Sequence, residues 1–398
     1  MTETWAHRAD LAESAVTERH AKKLWGMPKT NLAVVTWPPG LKDHLFWHWH
    51  YWWQAQYLDC QVDAALRRGT KTRRRRIADT LRGIQRRNRG KLTANLHYDD
   101  KAWLTLAWNR ATQLDGIKRT RALGELEFDL LAGIDPVTGV LPWRKGETFY
   151  NVPSNAPAAI IFATTGRLDK AREIVDWIFD NLVREDGLLD DGIRMRMSGP
   201  EVVDKVYTYN QGTVLGASLE IALALREDVG LDHDEPIDSF EYSERADASM
   251  FYITHIRAIV QSVALDLATP QGVLVSPPQE SGEGDGGLFK GILARYLAEV
   301  ALRLPADSKE NIATKKIAAR LVMQSAESLW SHRLEVDGLP VFAAEWTQDA
   351  KLPHNYGLGP SSISEAVGLL RIDERDLSVQ LSGWMLLEAA AKVAAMEA

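Results

Sequence analysis

Apolar residues recur every three to four positions along most of this chain, the spacing that lines up side chains on one face of an α-helix. The pattern predicts helices over residues 45–66, 77–84, 102–114, 123–131, 158–162, 174–182 and 214–225, and again over 251–267, 288–304, 317–329, 363–370 and 381–394. The period-two alternation of a half-buried strand is almost absent between them, so the expected class is all-α. The connectors alternate in kind: some are short, whereas 133–157, 185–209 and 269–287 are long and rich in Gly, Pro, Asn and Asp. A closed ring of helical hairpins produces this alternation, with short turns on one face and long functional loops on the other. No low-complexity linker divides the chain. One domain over residues 1–398 is therefore expected, an (α/α)6 barrel, that is, a toroid of six helical hairpins in inner and outer rings. A two-domain solenoid is the alternative.

One segment departs from this pattern. Lys71-Thr72-Arg73-Arg74-Arg75-Arg76 continues through Arg82, Arg86, Arg87 and Arg89 to Lys91. Ile77, Leu81 and Ile84 at helical spacing make it an outer helix with a solvated basic face. Read instead as a phosphate-binding strip, it would suit an anionic glycolipid head group better than DNA.

The wider composition narrows the class. Across 398 residues, 47 basic and 54 acidic side chains give a net charge of -7, which offers no general attraction to nucleic acid. The single cysteine, Cys60, excludes an internal disulfide and a Cys-based zinc site, and its apolar surroundings mark it as packing. The first ten residues mix charges without an apolar h-region, and no apolar run reaches the length of a membrane span. A cytoplasmic, monomeric protein is expected. Fourteen tryptophans are unusual, and indoles stack well on the C–H faces of sugars, although Trp also fills cores.

Several chemistries lack their machinery. There is no Walker or Rossmann glycine loop, no His-Glu-x-x-His and no Gly-x-Ser-x-Gly elbow. Of His44, His48 and His50 only the first two share a helix face, with no carboxylate at ligand spacing, so neither a metal nor a cofactor is expected.

Tyr98-Asp99-Asp100 stands directly before the apolar stretch Ala102 to Trp108. An acidic pair there complements the helix macrodipole and can act simply as a cap. It can also divide acid and nucleophile roles on a sugar. Other stretches set aromatics beside amides or acids at loop-to-helix junctions: Trp52-Trp53-Gln54-Ala55, Trp143 with Asn151 and Asn155, Tyr207-Thr208-Tyr209-Asn210-Gln211-Gly212, and Gly284-Asp285-Gly286-Gly287-Leu288-Phe289-Lys290-Gly291. Sugar sites need this mixture of stacking faces and directional hydrogen bonds.

Taken in order, Trp52-Trp53-Gln54-Ala55, Tyr98-Asp99-Asp100, the Gly139-to-Trp143 loop with Asn151 and Asn155, Tyr209-Asn210-Gln211-Gly212 and Phe289-Lys290-Gly291 resemble glycoside hydrolase family 76, the α-1,6-mannanase family. The resemblance runs from about Phe46 to Trp346. It implies an (α/α)6 barrel and a retaining, endo-acting hydrolase of α-1,6-linked mannan or mannooligosaccharides, lipid-linked mannan among the candidates. By position, Asp99 is the implied nucleophile and Asp100 the general acid/base. Neighbouring side chains can reach the roughly 5–5.5 Å separation of a retaining pair more readily than the roughly 6.5–9.5 Å of an inverting one. Tyr98, Asn210, Gln211 and Asp285 are candidates for hydroxyl recognition and Trp53, Tyr209 and Trp346 for stacking walls, with Gln54, Trp143, Asn155 and Lys290 completing the expected substrate contacts. Lys290 has an alternative as a simple partner of Asp285. Family members are commonly exported, whereas no leader is visible here. Three other functions stay open: mannan transglycosylation through the same intermediate, a sugar epimerase or isomerase using His97, His332 and His354, and a glycan-binding protein without turnover.

Overall fold

A computed structural model describes residues 4–227, 239–280, 282, 284–351 and 373–397. In chain order its helices are α1 (Trp5–His20), the single turn α2 (Leu41–His44), α3 (Tyr51–Arg67), α4 (Lys71–Arg87), α5 (Tyr98–Ala111), α6 (Arg121–Ala132), α7 (Val152–Thr164), α8 (Leu168–Leu182), α9 (Thr208–Glu227), α10 (Ser239–Asp266), α11 (Gly286–Arg303), α12 (Lys309–Ser331) and α13 (Leu377–Glu397). α3 packs on α5, α5 on α7, α7 on α9, α9 on α11, α11 on α13, and α13 returns to α3. That cycle is a closed inner ring. α1, α4, α6, α8, α10 and α12 pack around it, so the fold is the expected (α/α)6 toroid.

Sequence separates the two rings. Every residue of α7 from Val152 to Phe162 is buried, as an inner helix apolar on all faces requires. Outer α8 buries only a stripe of Ala171, Ile174, Val175, Ile178, Phe179 and Leu182. The basic stretch is outer α4; it buries Ile77, Leu81 and Ile84, and Arg73 and Arg76 pair with Glu13 of α1. Between inner helices, glycines allow backbones to touch. A Cβ on Gly212 would lie 2.7 Å from Leu293 Cα, and one on Gly291 would lie 2.7 Å from Ser382 Cα.

Inner-to-outer connections include the short 68–70, 165–167 and 304–308 as well as the nine-residue 112–120, whereas outer-to-inner ones such as 133–151, 183–207 and 267–285 are longer. The long loops differ from expectation in holding strands. Phe149–Asn151, Asp190–Arg196 and Gly199–Val206 form a three-stranded antiparallel sheet. The outermost strand is mostly exposed on both faces, so no apolar alternation announces it. α1 was also hidden, because it buries small alanines at positions 9, 12 and 15 among charges. The helix expected over 45–66 begins only at Tyr51, and the one expected over 363–370 lies outside the described residues.

Candidate active site

The first turns of α3, α5, α9 and α11 meet at one mouth of the ring. Outer helices α1, α4, α6 and α12 are capped by Thr4, Thr70, Thr120 and Ser308, each side chain accepting a first-turn N–H. Inner helices α3, α5, α7 and α11 have no side-chain cap bond. Their leading N–H groups and positive dipole ends favour negative charge at this end of the barrel.

Asp99 and Asp100 occupy the first turn of α5, both half-buried. Asp99 accepts two N–H groups: the Asp100 backbone at 2.8 Å on Oδ1, and Trp143 Nε1 at 2.9 Å on Oδ2. Asp100 Oδ2 accepts Asn95 Nδ2 at 2.6 Å, while Asn95 Oδ1 accepts the His97 backbone N–H at 3.0 Å, which orients the amide. Burial pushes both carboxyls up from the ordinary Asp range. The charge of Asp100 adds to the effect on Asp99, and Asp285 acts on both in the same direction. Tyr98 holds the turn in place. Its N–H donates to Trp143 O at 2.9 Å, its ring lies 3.9 Å from Lys101 Nζ, and a Cβ on Gly133 would come within 2.3 Å of that ring.

Asp285 precedes α11 and is exposed at the mouth, where its Oδ1 accepts Trp52 Nε1 at 2.9 Å and Trp53 Nε1 at 2.7 Å. The aromatic lining extends from there. Trp52 leans on Trp103 and Phe289 with centroids 6.2 Å apart in each case, Trp103 stacks on Tyr209 at 6.4 Å, and Tyr209 lies flat on Phe289 at 3.9 Å. A buried carboxyl closes the far side: Asp191 accepts Asn210 Nδ2 at 3.0 Å, and burial pushes it up to about 6. Asn210 Oδ1 and Asn151 Oδ1 are buried without a hydrogen-bond partner. Glu280, pushed up to about 7 by burial, accepts the Thr208 N–H at 2.7 Å at the start of α9.

The expected substrate contacts therefore divide into two groups. Trp143 and Asp285 reach the mouth. Three amides do not: Gln54 bonds both backbone polar groups of Ala33, Asn155 those of Leu141, and Gln211 those of Leu189, each amide being fully buried. They pin loops to inner helices because a buried carboxamide matches one backbone N–H and one C=O. Trp346 is also buried, with Lys290 Nζ 5.3 Å from its ring, and Lys290 pairs with Glu345 at 3.2 Å rather than with Asp285. Trp53, Tyr98, Tyr209 and Asn210 are buried at the site's inner wall. Of the epimerase histidines, His97 lies 4.9 Å from the Trp143 ring, His332 caps outer α12, and His354 is outside the described residues.

Sequence reading overlooked Asn95, Asp191 and Glu280, and it gave no individual role to Trp103 or to Tyr207, which stands at the head of the Tyr207-to-Gly212 stretch. Only Asp191 left a signal, as the second member of an Asp-Asp pair in the long connector 185–209. Among the described residues no group of three or more His, Cys, Asp or Glu side chains is placed to hold a metal ion. A partly open cavity of about 450 Å³ lies away from the mouth, lined by Arg110, Glu220, Arg295, Glu299, Arg303 and Lys392. Its charges are all engaged, Arg303 with Glu220, Lys392 with Glu299, and Arg110 and Arg295 with Asp59 beside it, and it contains none of the groups above. The mouth, with acids, amides and aromatic faces together, has the equipment for glycosyl chemistry.

The profile of glycosyl hydrolase family 76 matches residues 10–376. Among solved structures, the chain is similar to the GH76A α-1,6-mannanase from Salegentibacter sp. HEL1_6, with 25% identity, 98% of this chain and 99% of that chain covered and a TM-score of 0.75. An inactive variant of that enzyme, with two consecutive aspartates changed to asparagine and α-1,6-mannotriose bound, aligns at 24% identity over 98% of this chain and 99% of that one, with a TM-score of 0.74. Dfg5 from Chaetomium thermophilum, solved with glucosamine, is more distant at 14% identity, with 99% and 92% covered and a TM-score of 0.66. No curated protein matches the sequence.

Proposed function

The chain belongs to glycosyl hydrolase family 76 and is a glycosidase, and from that premise we propose that it is a retaining endo-α-1,6-mannanase with Asp99 as nucleophile and Asp100 as general acid/base. One observation carries the assignment: two adjacent, half-buried carboxyls, both raised, differ in the donors that face them. Between them the pair holds one proton near neutral pH, since two charges so close disfavour one another. Two N–H donors on Asp99, at a helix N-terminus, favour the anion there. Burial raises Asp99 to about 7 and Asp100 to about 6, so the two share that proton, and the reaction proceeds from the arrangement in which Asp100 carries it.

In the first step Asp99 attacks the anomeric carbon while Asp100 protonates the departing O6, leaving a glycosyl-aspartate. In the second, Asp100 removes a proton from water, which attacks the same carbon and releases mannose units with the original configuration. Trp52, Trp143 and Tyr207 give the sugar faces on which to stack, and Asp285 accepts from its hydroxyls. Gln54, Asn155 and Gln211 act indirectly by fixing the loops. The Salegentibacter variant supports the choice of a consecutive pair. The second such pair here, Asp190-Asp191, suits the role less well, because Arg184 engages Asp190 and Asn210 engages Asp191.

The test is incubation with linear α-1,6-mannotetraose, with products followed by length and by proton NMR of the released anomer. Internal cleavage with retention is expected, and Asp99→Asn or Asp100→Asn lowers kcat by at least about 10³-fold without unfolding the protein. An inverted first product, or an Asp99→Asn enzyme of native rate, sinks the assignment. Elongated products in place of hydrolysis would indicate transglycosylation.

A further inference from the structure

Large apolar side chains exposed singly, such as Phe128 or Val137, are ordinary on a protein surface. Residues 25–47 are different: Trp25 is 51% exposed, Leu41 78%, Leu45 49% and Trp47 70%. These side chains belong to one structural unit. Trp25 Nε1 donates to Leu45 O at 2.8 Å, the Leu45 N–H to Leu41 O at 3.2 Å and the Trp47 N–H to Lys42 O at 3.0 Å. The backbone here is unfavourable for bulky residues, with φ of 47° at Trp25, 52° at Phe46 and 44° at His50. A costly conformation that presents tryptophan and leucine to water calls for a partner.

The surrounding charge identifies its chemistry. Lys23, Lys29, Lys42, Arg86, Arg89 and Lys91 are exposed around the patch. Arg86 reaches Met27 Sδ at 3.7 Å, Arg82 donates to Lys29 O at 2.6 Å, and the Arg87 guanidinium lies 6.0 Å from the Trp25 ring and 5.2 Å from that of Trp49. The nearby acids are engaged: Asp79 pairs with Arg82 at 2.7 Å, and Asp43 accepts the Gly40 N–H at 2.8 Å. A cationic patch thus stands on a chain of net charge -7.

We infer that this patch docks the protein on an anionic lipid surface, Trp25, Leu41, Leu45 and Trp47 entering the head-group boundary while the lysines and arginines meet lipid phosphates. A neutral glycan would use the indoles but has no need of exposed leucines or six cations. Attachment is peripheral, since among the described residues no helix is long and apolar enough to cross a membrane. The patch adjoins the active-site mouth. His50 stacks on Trp53 at 4.3 Å, and a groove of about 460 Å³ runs from Arg89 and Lys91 past Trp49 and Tyr51 to Asn95, the donor to Asp100. A glycan anchored in the docked bilayer would meet the catalytic pair by this route.

Flotation of the full-length chain with glycan-free vesicles tests the docking independently of the glycosidase assignment. Vesicles of phosphatidylcholine with phosphatidylglycerol should retain the protein, those of phosphatidylcholine alone should not, and added salt should release it. Each surface cation contributes about a fivefold gain in partitioning. Arg86→Glu with Arg89→Glu, and separately Leu41→Ser with Trp47→Ser, should each lower retention more than about tenfold, with the rate on soluble α-1,6-mannotetraose unchanged. Equal retention by neutral vesicles, or native retention by both variants, overturns the inference. So does loss of rate on the soluble tetraose with vesicle binding intact, which would make the patch a glycan surface.

Discussion

At the scale of single residues, the roles proposed for the adjacent acids rest on the difference in their surroundings, and Trp143 supplies much of it. Its indole N–H stabilises the Asp99 anion. Trp143→Phe removes that donor, so Asp99 should bind its proton more tightly and kcat should fall about 100-fold. Burial raises both carboxyls, Asp99 to about 7 and Asp100 to about 6, and the proposed mechanism needs the state in which the pair holds a single proton. The kcat/KM profile should therefore be bell-shaped. It falls on the acid side as the nucleophile is protonated and on the alkaline side as the acid loses its proton. In Trp143→Phe the acid limb moves to higher pH, and an unmoved limb would mean that the indole acts only on substrate. The acids themselves were legible in the sequence, because two adjacent carboxylates before an apolar helix are rare enough to notice. The roles of the amides were not. Gln54, Asn155 and Gln211 carry the same chemistry as sugar-binding amides, and only burial against Ala33, Leu141 and Leu189 separates the two uses.

At the scale of elements, the motif glycines explain how the inner helices approach one another. Gly212 of α9 and Gly291 of α11 sit where neighbouring backbones touch, so Gly212→Ala should lower stability by about 1–3 kcal/mol in chemical denaturation. A neutral effect would show that α9 can shift away from α11. Helix existence was largely readable, since a periodicity of 3.6 survives whatever packs on it. Helix ends and strands were less so. The sheet of Phe149–Asn151, Asp190–Arg196 and Gly199–Val206 is set by its pairing to the loop before α7, not by an apolar face of its own. Asp191 entered the site through that pairing, which no local pattern encodes.

At the scale of the whole molecule, the end of the ring opposite the acids is fastened by charge. Asp63 of α3 receives Arg110 of α5 at 2.5 Å, Arg295 of α11 at 2.8 Å and Lys392 of α13 at 3.0 Å. These cations hold its carboxyl well below the usual range despite burial, which alone would raise it. A depressed value contributes stability that is present above the unfolded-state pKa and lost as pH falls through the folded one. Asp63→Ala leaves buried cations unpaired and should cost about 3–5 kcal/mol at neutral pH. The gap from native should narrow in strong acid, where native Asp63 takes up a proton, and a pH-independent gap would assign the loss to packing alone. Ring closure itself was an inference from loop lengths, and the contact of α13 with α3 and α1 makes it a fact of the fold. That contact also sets an order of events during synthesis. A nascent chain that has emerged through α12 already contains Asp99 and Asp100, yet the barrel around them lacks one stave. The cleft takes its working shape only when the last helix leaves the ribosome and slides between its two neighbours.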